Sequence, residues 1–130
     1  MFQRDYLTRM FRQLVETAAR ALGLRATSPE EARQAIGAAK AQLPLVPGAL
    51  ESMSTGTILR MLDSPDAALG LAHLYRAESL VEFEQGQLTA AAHAAKRALQ
   101  FFAAVPRDQI SDEDQAAFRT FADTFSVRQG

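Results

Sequence analysis

Apolar residues recur at spacings of three and four along nearly the whole chain, and no stretch of alternating β-branched residues competes with them. That period constrains the fold more than any motif does, because a 3.6-residue repeat gathers such positions on one stripe of a helix, whereas a strand gathers every second residue. The chain therefore reads as all-α, with about five to six helices arranged as antiparallel hairpins. Its 130 residues suit a single helical domain over 1–130, and a domain of this size buries roughly two-thirds of the surface that its unfolded chain exposes.

The first helix is expected from about Phe2 to Leu22, where Tyr6, Leu7, Met10, Phe11, Leu14, Val15 and Leu22 follow the helical period and Gly23 ends it. Ser28-Pro29-Glu30-Glu31 reads as the next start, with Ser28 as N-cap, Pro29 at the first helical position and Glu31 closing a capping box. This helix should end near Pro44, followed by an extended Leu43–Gly48 link, since each proline disfavours helical geometry in the residue before it. A shorter helical stretch is expected from Ala49 to Leu62, with Gly56 weakening its middle. These elements make up the N-terminal part, residues 1–62.

Asp63-Ser64-Pro65-Asp66 is a second start signal, and Gly86 can supply the left-handed turn that ends the helix near Gln85. Leu69, Ala72, Leu80 and Phe83 lie on one side of that helix and Leu71, Leu74 and Val81 on others, which marks it as central. The next helix, about Leu88 to Ala104, is two-faced. Leu88, Ala91, Ala95, Ala98, Leu99 and Phe102 point inward, and His93, Lys96, Arg97 and Gln100 point outward. The two form a hairpin over 66–104. A last helix over 111–127 begins at Ser111-Asp112-Glu113-Asp114 and shares Phe118, Phe121 and Phe125 on one face, a set suited to docking on the domain.

From Ala72 to Leu99 the chain resembles one tetratricopeptide repeat. Gly86, Leu88, Ala91, Ala98 and Leu99 fall where that family places its turn glycine, its small packing residues and its terminal Ala-Leu. Glu82 stands where the family prefers an aromatic, with Phe83 one position further on. The resemblance implies a right-handed array or bundle of helical hairpins that binds protein, with His73, Arg76, Leu80 and Phe83 lining its concave face. Asp5-Tyr6-Leu7-x-Arg9-Met10-x-x-Gln13-Leu14, followed by such a hairpin, also resembles a family of small bacterial helical proteins; this implies the same plan and no activity.

Composition narrows the chemistry. Without cysteine there is no disulfide, thiolate zinc site or Cys nucleophile. A net charge of −1 and a pI near 6.1 argue against a nucleic-acid partner. No apolar run approaches the ~18 residues of a membrane span, and with no visible signal sequence the expected location is cytoplasmic. His73 and His93 should lie at different heights on their hairpin, and no His-x-x-x-His or Glu-x-x-His spacing accompanies them, so no metal site is expected. Ser52-Met53-Ser54-Thr55-Gly56-Thr57 matches neither a nucleophile elbow nor a phosphate loop and reads as a kink or a helix start.

Two features point outward from the fold. The apolar residues of the first helix span about half its circumference, wider than the ~100° stripe that seats a helix on one core; they are either core or a shared surface, and Tyr6, Met10 and Leu14 are the candidates for a homodimer contact. Arg9, Arg12 and Arg20 on the opposite face are interleaved with Asp5 and Glu16, which disfavours a membrane-surface helix. Glu78 and Glu82 lie one turn apart with Tyr75 nearby, a set that can do acid–base work or meet a basic partner. The leading expectation is a non-catalytic protein-interaction module, open to self-association, with no cofactor. The alternative is a small helical enzyme or accessory subunit with an inter-helix pocket at Tyr75, Glu78 and Glu82.

Overall fold

In the computed structural model this periodicity resolves into seven α-helices among the described residues: α1 (Phe2–Leu24), α2 (Pro29–Ala41), α3 (Ala49–Ser52), α4 (Thr55–Leu62), α5 (Pro65–Glu84), α6 (Leu88–Ala103) and α7 (Asp112–Gln129). A 3-10 turn at Arg107–Gln109 precedes α7, and no strand occurs among the described residues. The structure describes the backbone of residues 2–46 and 48–129 and the side chains of residues 6–46 and 48–125.

Local chemistry accounts for the boundaries. Ser64 Oγ accepts from the backbone N–H groups of Asp66 and Ala67, capping α5, and Gly86 turns the chain at φ 76° after its end. Ser111 caps α7 in the same way, accepting from Asp114 N at 3.0 Å. Ser28 differs from expectation: it precedes α2 but makes no side-chain cap bond, so the capping box does not form, and Glu31 turns to Arg20 instead. The expected Ala49–Leu62 helix is broken in two, because Met53 and Ser54 adopt extended backbone and Ser54 Oγ accepts from Thr57 N to begin α4. That break makes the count higher than five to six. α2 stops at Ala41 rather than near Pro44, and the N–H groups of Gln42 and Leu43 turn back to the carbonyls of Ala39 and Lys40.

α5 is the axis on which the other helices pack, because its apolar residues are spread around most of its circumference. Leu71, Leu74, Tyr75, Ala77 and Val81 are all buried. One side meets α1, the other meets α6, and α2 touches it at the edge. The α1 contact is close at Gly70, where a Cβ would stand 2.9 Å from the Phe11 carbonyl oxygen and 3.3 Å from Leu14 Cδ1. Towards α6, Ser79 Oγ donates to the Ala91 carbonyl at 2.7 Å, and buried Ala91, Ala94, Ala95 and Ala98 let the two helices approach. The wide apolar face of α1 is used within the chain: Met10, Phe11, Leu14, Ala18 and Ala21 are buried, and α1 packs on both α2 and α5.

α7 lies against α6 and sends its rings down to the hairpin. Phe118 stacks on Phe102 with centroids 4.0 Å apart, and Phe125 meets Phe83 edge-on at 6.0 Å. Phe118, Phe121 and Phe125 are all buried. No helix among the described residues is long and apolar enough to cross a membrane.

Candidate functional site

Glu78 and Glu82 leave α5 on the side facing α2, and each meets a cation there. Arg33 grips Glu82 through two bonds, Nε to Oε2 at 2.9 Å and Nη2 to Oε1 at 3.0 Å. It also reaches Glu30 Oε1 at 2.5 Å. Lys40 pairs with Glu78 and, at 3.0 Å, with Glu51. Between the two pairs lies a cleft of about 260 Å³, with Ile36 and Gly37 on its α2 wall. Helix spacing alone could have placed Arg33 and Lys40 on one face, two turns apart. Which helix that face would meet is a tertiary fact.

Tyr75 lies beneath this charge layer, 1% exposed. Its ring stacks on Phe101 at 5.7 Å, with Lys40 Nζ 4.7 Å and the Arg97 guanidinium 5.8 Å from its centroid. Its hydroxyl has no hydrogen-bond partner among the described residues. Burial, opposed by Lys40, pushes that hydroxyl up to about 12. Burial works to lower Lys40, but the Glu78 carboxylate leads the effects that outweigh it, and the ammonium ends above its ordinary value.

Arg97 departs from the expected outward orientation of its side chain. It is 8% exposed and donates to the carbonyls of Leu50 at 2.9 Å and Met53 at 2.6 Å. These carbonyls belong to the short α3 turn and the break after it, where helix-end acceptors lack intrahelical donors. A guanidinium can serve both at once, and that need draws it inward.

The residues expected on the concave face of the hairpin lie beside α7. His73 Nε2 is 3.4 Å from Asp114 Oδ2, and the His73 ring meets Phe118 edge-on at 5.2 Å. The Arg76 guanidinium sits over the rings of Phe118 and Phe121 at 5.6 and 5.9 Å. Phe83 meets Phe125, and Leu80 is half-buried against the core. Burial lowers His73, with Asp114 opposing it and Arg76 adding to it. Of the self-association candidates, Met10 and Leu14 are core residues and Tyr6 is 58% exposed. His93 is exposed on α6, away from the His73–Asp114 pair.

A larger groove, about 610 Å³, opens between α6 and α7. Ala92, Ala95 and Leu99 form its α6 floor, and Ala122 and Phe125 its α7 wall. His93, Lys96 and Gln100 are its polar margin, and all three are exposed. Sequence reasoning placed Lys96 and His93 outward but had no means of finding the groove, because the second wall comes from a helix about 25 residues further along the chain. No protein-family model, curated protein or solved structure matches the chain.

Proposed function

We propose that this protein is a non-catalytic interaction module in which the α5–α6 pair acts as a single tetratricopeptide-like hairpin. The observation that carries the reading is the α6/α7 groove, an open surface with an apolar floor and a one-sided polar margin, the composition expected of a partner site. His73, Arg76 and Phe83 do not line this groove; they meet Asp114, Phe118, Phe121 and Phe125 of α7, which takes up that part of the hairpin face. The hairpin already seats one amphipathic helix in cis through three phenylalanines, so helix-on-helix recognition is chemistry this surface performs.

The pocket at Tyr75, Glu78 and Glu82 supports an enzyme less well. Both carboxylates are engaged by cations, Tyr75 keeps its proton to about pH 12, and Lys40 holds its charge. A general acid or base works best with a pKa near the operating pH. Of the α1 residues expected at a homodimer contact, Tyr6 is exposed, whereas Met10 and Leu14 are core residues.

Affinity capture from cell extract tests the reading, with wild-type protein as bait beside Ala103→Arg, an exposed groove position, and Leu99→Glu on the floor. Circular dichroism first establishes that each variant is folded. At least one protein should be retained by wild type and lost from both variants. Identical captures from all three baits would refute the module.

A further inference from the structure

We infer that the occupant of the α6/α7 groove is an amphipathic helix of a partner protein whose apolar stripe is flanked by carboxylates, an inference that rests on the interaction-module reading above. Shape is the first argument. The groove follows α6 from Ala92 to Ala103, roughly 16 Å at 1.5 Å per residue, which is the length of three helical turns. Alanine on its floor lets a helix axis come as close as the ~8 Å lower end of helix packing distances, and Leu99 and Phe125 supply the larger apolar contacts at its sides.

Charge is the second argument. α6 contains no Asp or Glu in its 16 residues, although the chain has 15 of them. Lys96 is exposed and makes no ion pair among the described residues. The α6 margin of the groove therefore carries one uncompensated positive charge, at Lys96. An acidic flank on the incoming helix would face Lys96 while its apolar side covers the alanines.

The same facts disfavour other occupants. In a two-fold pairing of this groove with a second copy, like surfaces meet, and Lys96 of one copy would approach Lys96 of the other. A lipid surface is flat, and the α7 wall holds it away from the alanine floor.

The test uses the full chain, labelled with 15N, and two synthetic 20-residue helical peptides sharing one Leu/Ala stripe, flanked by Glu in one and by Lys in the other. Vesicles of phosphatidylglycerol form a third arm. The Glu-flanked peptide should bind with amide shifts confined to Ala92–Ala103 and the α7 residues around Ala122, and the Lys-flanked peptide should bind at least tenfold more weakly. Lys96→Glu, an exposed substitution, should invert that order. Equal affinity of the two peptides, binding of neither, shifts elsewhere on the surface, or shifts in the groove on adding vesicles would each overturn the inference. A captured protein that is lost with Ala103→Arg yet indifferent to Lys96→Glu would sink the acidic helix and leave the interaction module standing.

Discussion

Replacing Gly70 with alanine should destabilise the protein, even though alanine is the better helix former. Two opposing quantities decide the sign. In a helix interior Gly→Ala gains about 1 kcal/mol of propensity. At this position the new methyl would stand 2.9 Å from the Phe11 carbonyl oxygen and 3.3 Å from Leu14 Cδ1. The first of these is backbone and has no rotamer to change, so α1 must move away from α5. Overpacking of that kind costs about 1–3 kcal/mol, and with a rigid obstacle the upper half of the range applies, leaving a net loss of about 1–2 kcal/mol. Gly37 is the matched control. It lies within α2, and a Cβ there meets nothing within 4 Å. Gly37→Ala should keep the gain, about 0.5–1 kcal/mol. Urea denaturation followed by circular dichroism at 222 nm reads both, with an unchanged slope confirming that the midpoint shift is a change in stability. The two variants should move to opposite sides of wild type. Gly70→Ala as stable as wild type would show that the α1–α5 crossing is not in this close contact.

Removing the Arg97 guanidinium takes the charged donors away from the Leu50 and Met53 carbonyls; Arg97→Ala should cost about 2–4 kcal/mol, and Arg97→Lys should recover only part of it because an ammonium lacks the fork. Thermal melts of the three proteins check the order, and a lysine variant equal to wild type would contradict it. Tyr75 binds its proton more tightly folded, at about 12, than at the ordinary 10.0. Over that window the native state holds more protons than the unfolded one, so stability should be intact below about pH 10 and fall as pH rises towards 12; Tyr75→Phe should remove most of this alkaline loss, and urea midpoints across that range measure it. At neutral pH the same substitution deletes a buried hydroxyl without a partner among the described residues, so it should be neutral or stabilising by up to about 1 kcal/mol, whereas a clear destabilisation would mean that the hydroxyl is bonded. Because α1 spends its apolar face on α2 and α5, light scattering over a dilution series should return a mass near 14.2 kDa, and a stable mass of twice that would place a self-contact on the surface.

The helices were legible because their signals are local. Period, Ser64-Pro65, Ser111 and Gly86 act over one or two turns, and each marks a boundary near where the structure has it. Even locally, preferences compete. Ser54 begins a helix that the apolar pattern alone runs straight through, and Ser28 lacks the cap bond that its Ser-Pro-Glu-Glu context suggests. The acidic pair Glu78 and Glu82 was visible as a pair, but its environment was not, since Arg33 and Lys40 are some 40 to 50 residues away in sequence. Arg97 shows the limit most plainly: its place on the helix wheel points outward, and two carbonyls of a distant turn bring it in.

The sequence by itself determined that this chain is helical, that its fifth helix must be surrounded, and that three phenylalanines of the last helix seek cover. These follow from backbone geometry and the burial of apolar area, which depend on near neighbours and on how many faces a helix leaves apolar. Only the tertiary structure decided that α2 supplies the cations for α5, that α1 lays buried Met10, Phe11 and Leu14 against α2 and α5, and that α7 lies beside α6 to make a groove with Lys96 on its margin. Those outcomes depend on which faces meet. Apolar stripes are largely interchangeable as partners, so the pairing is settled by close approaches such as Gly70, by single bonds such as Ser79 to Ala91, and by the matching of charges across helices.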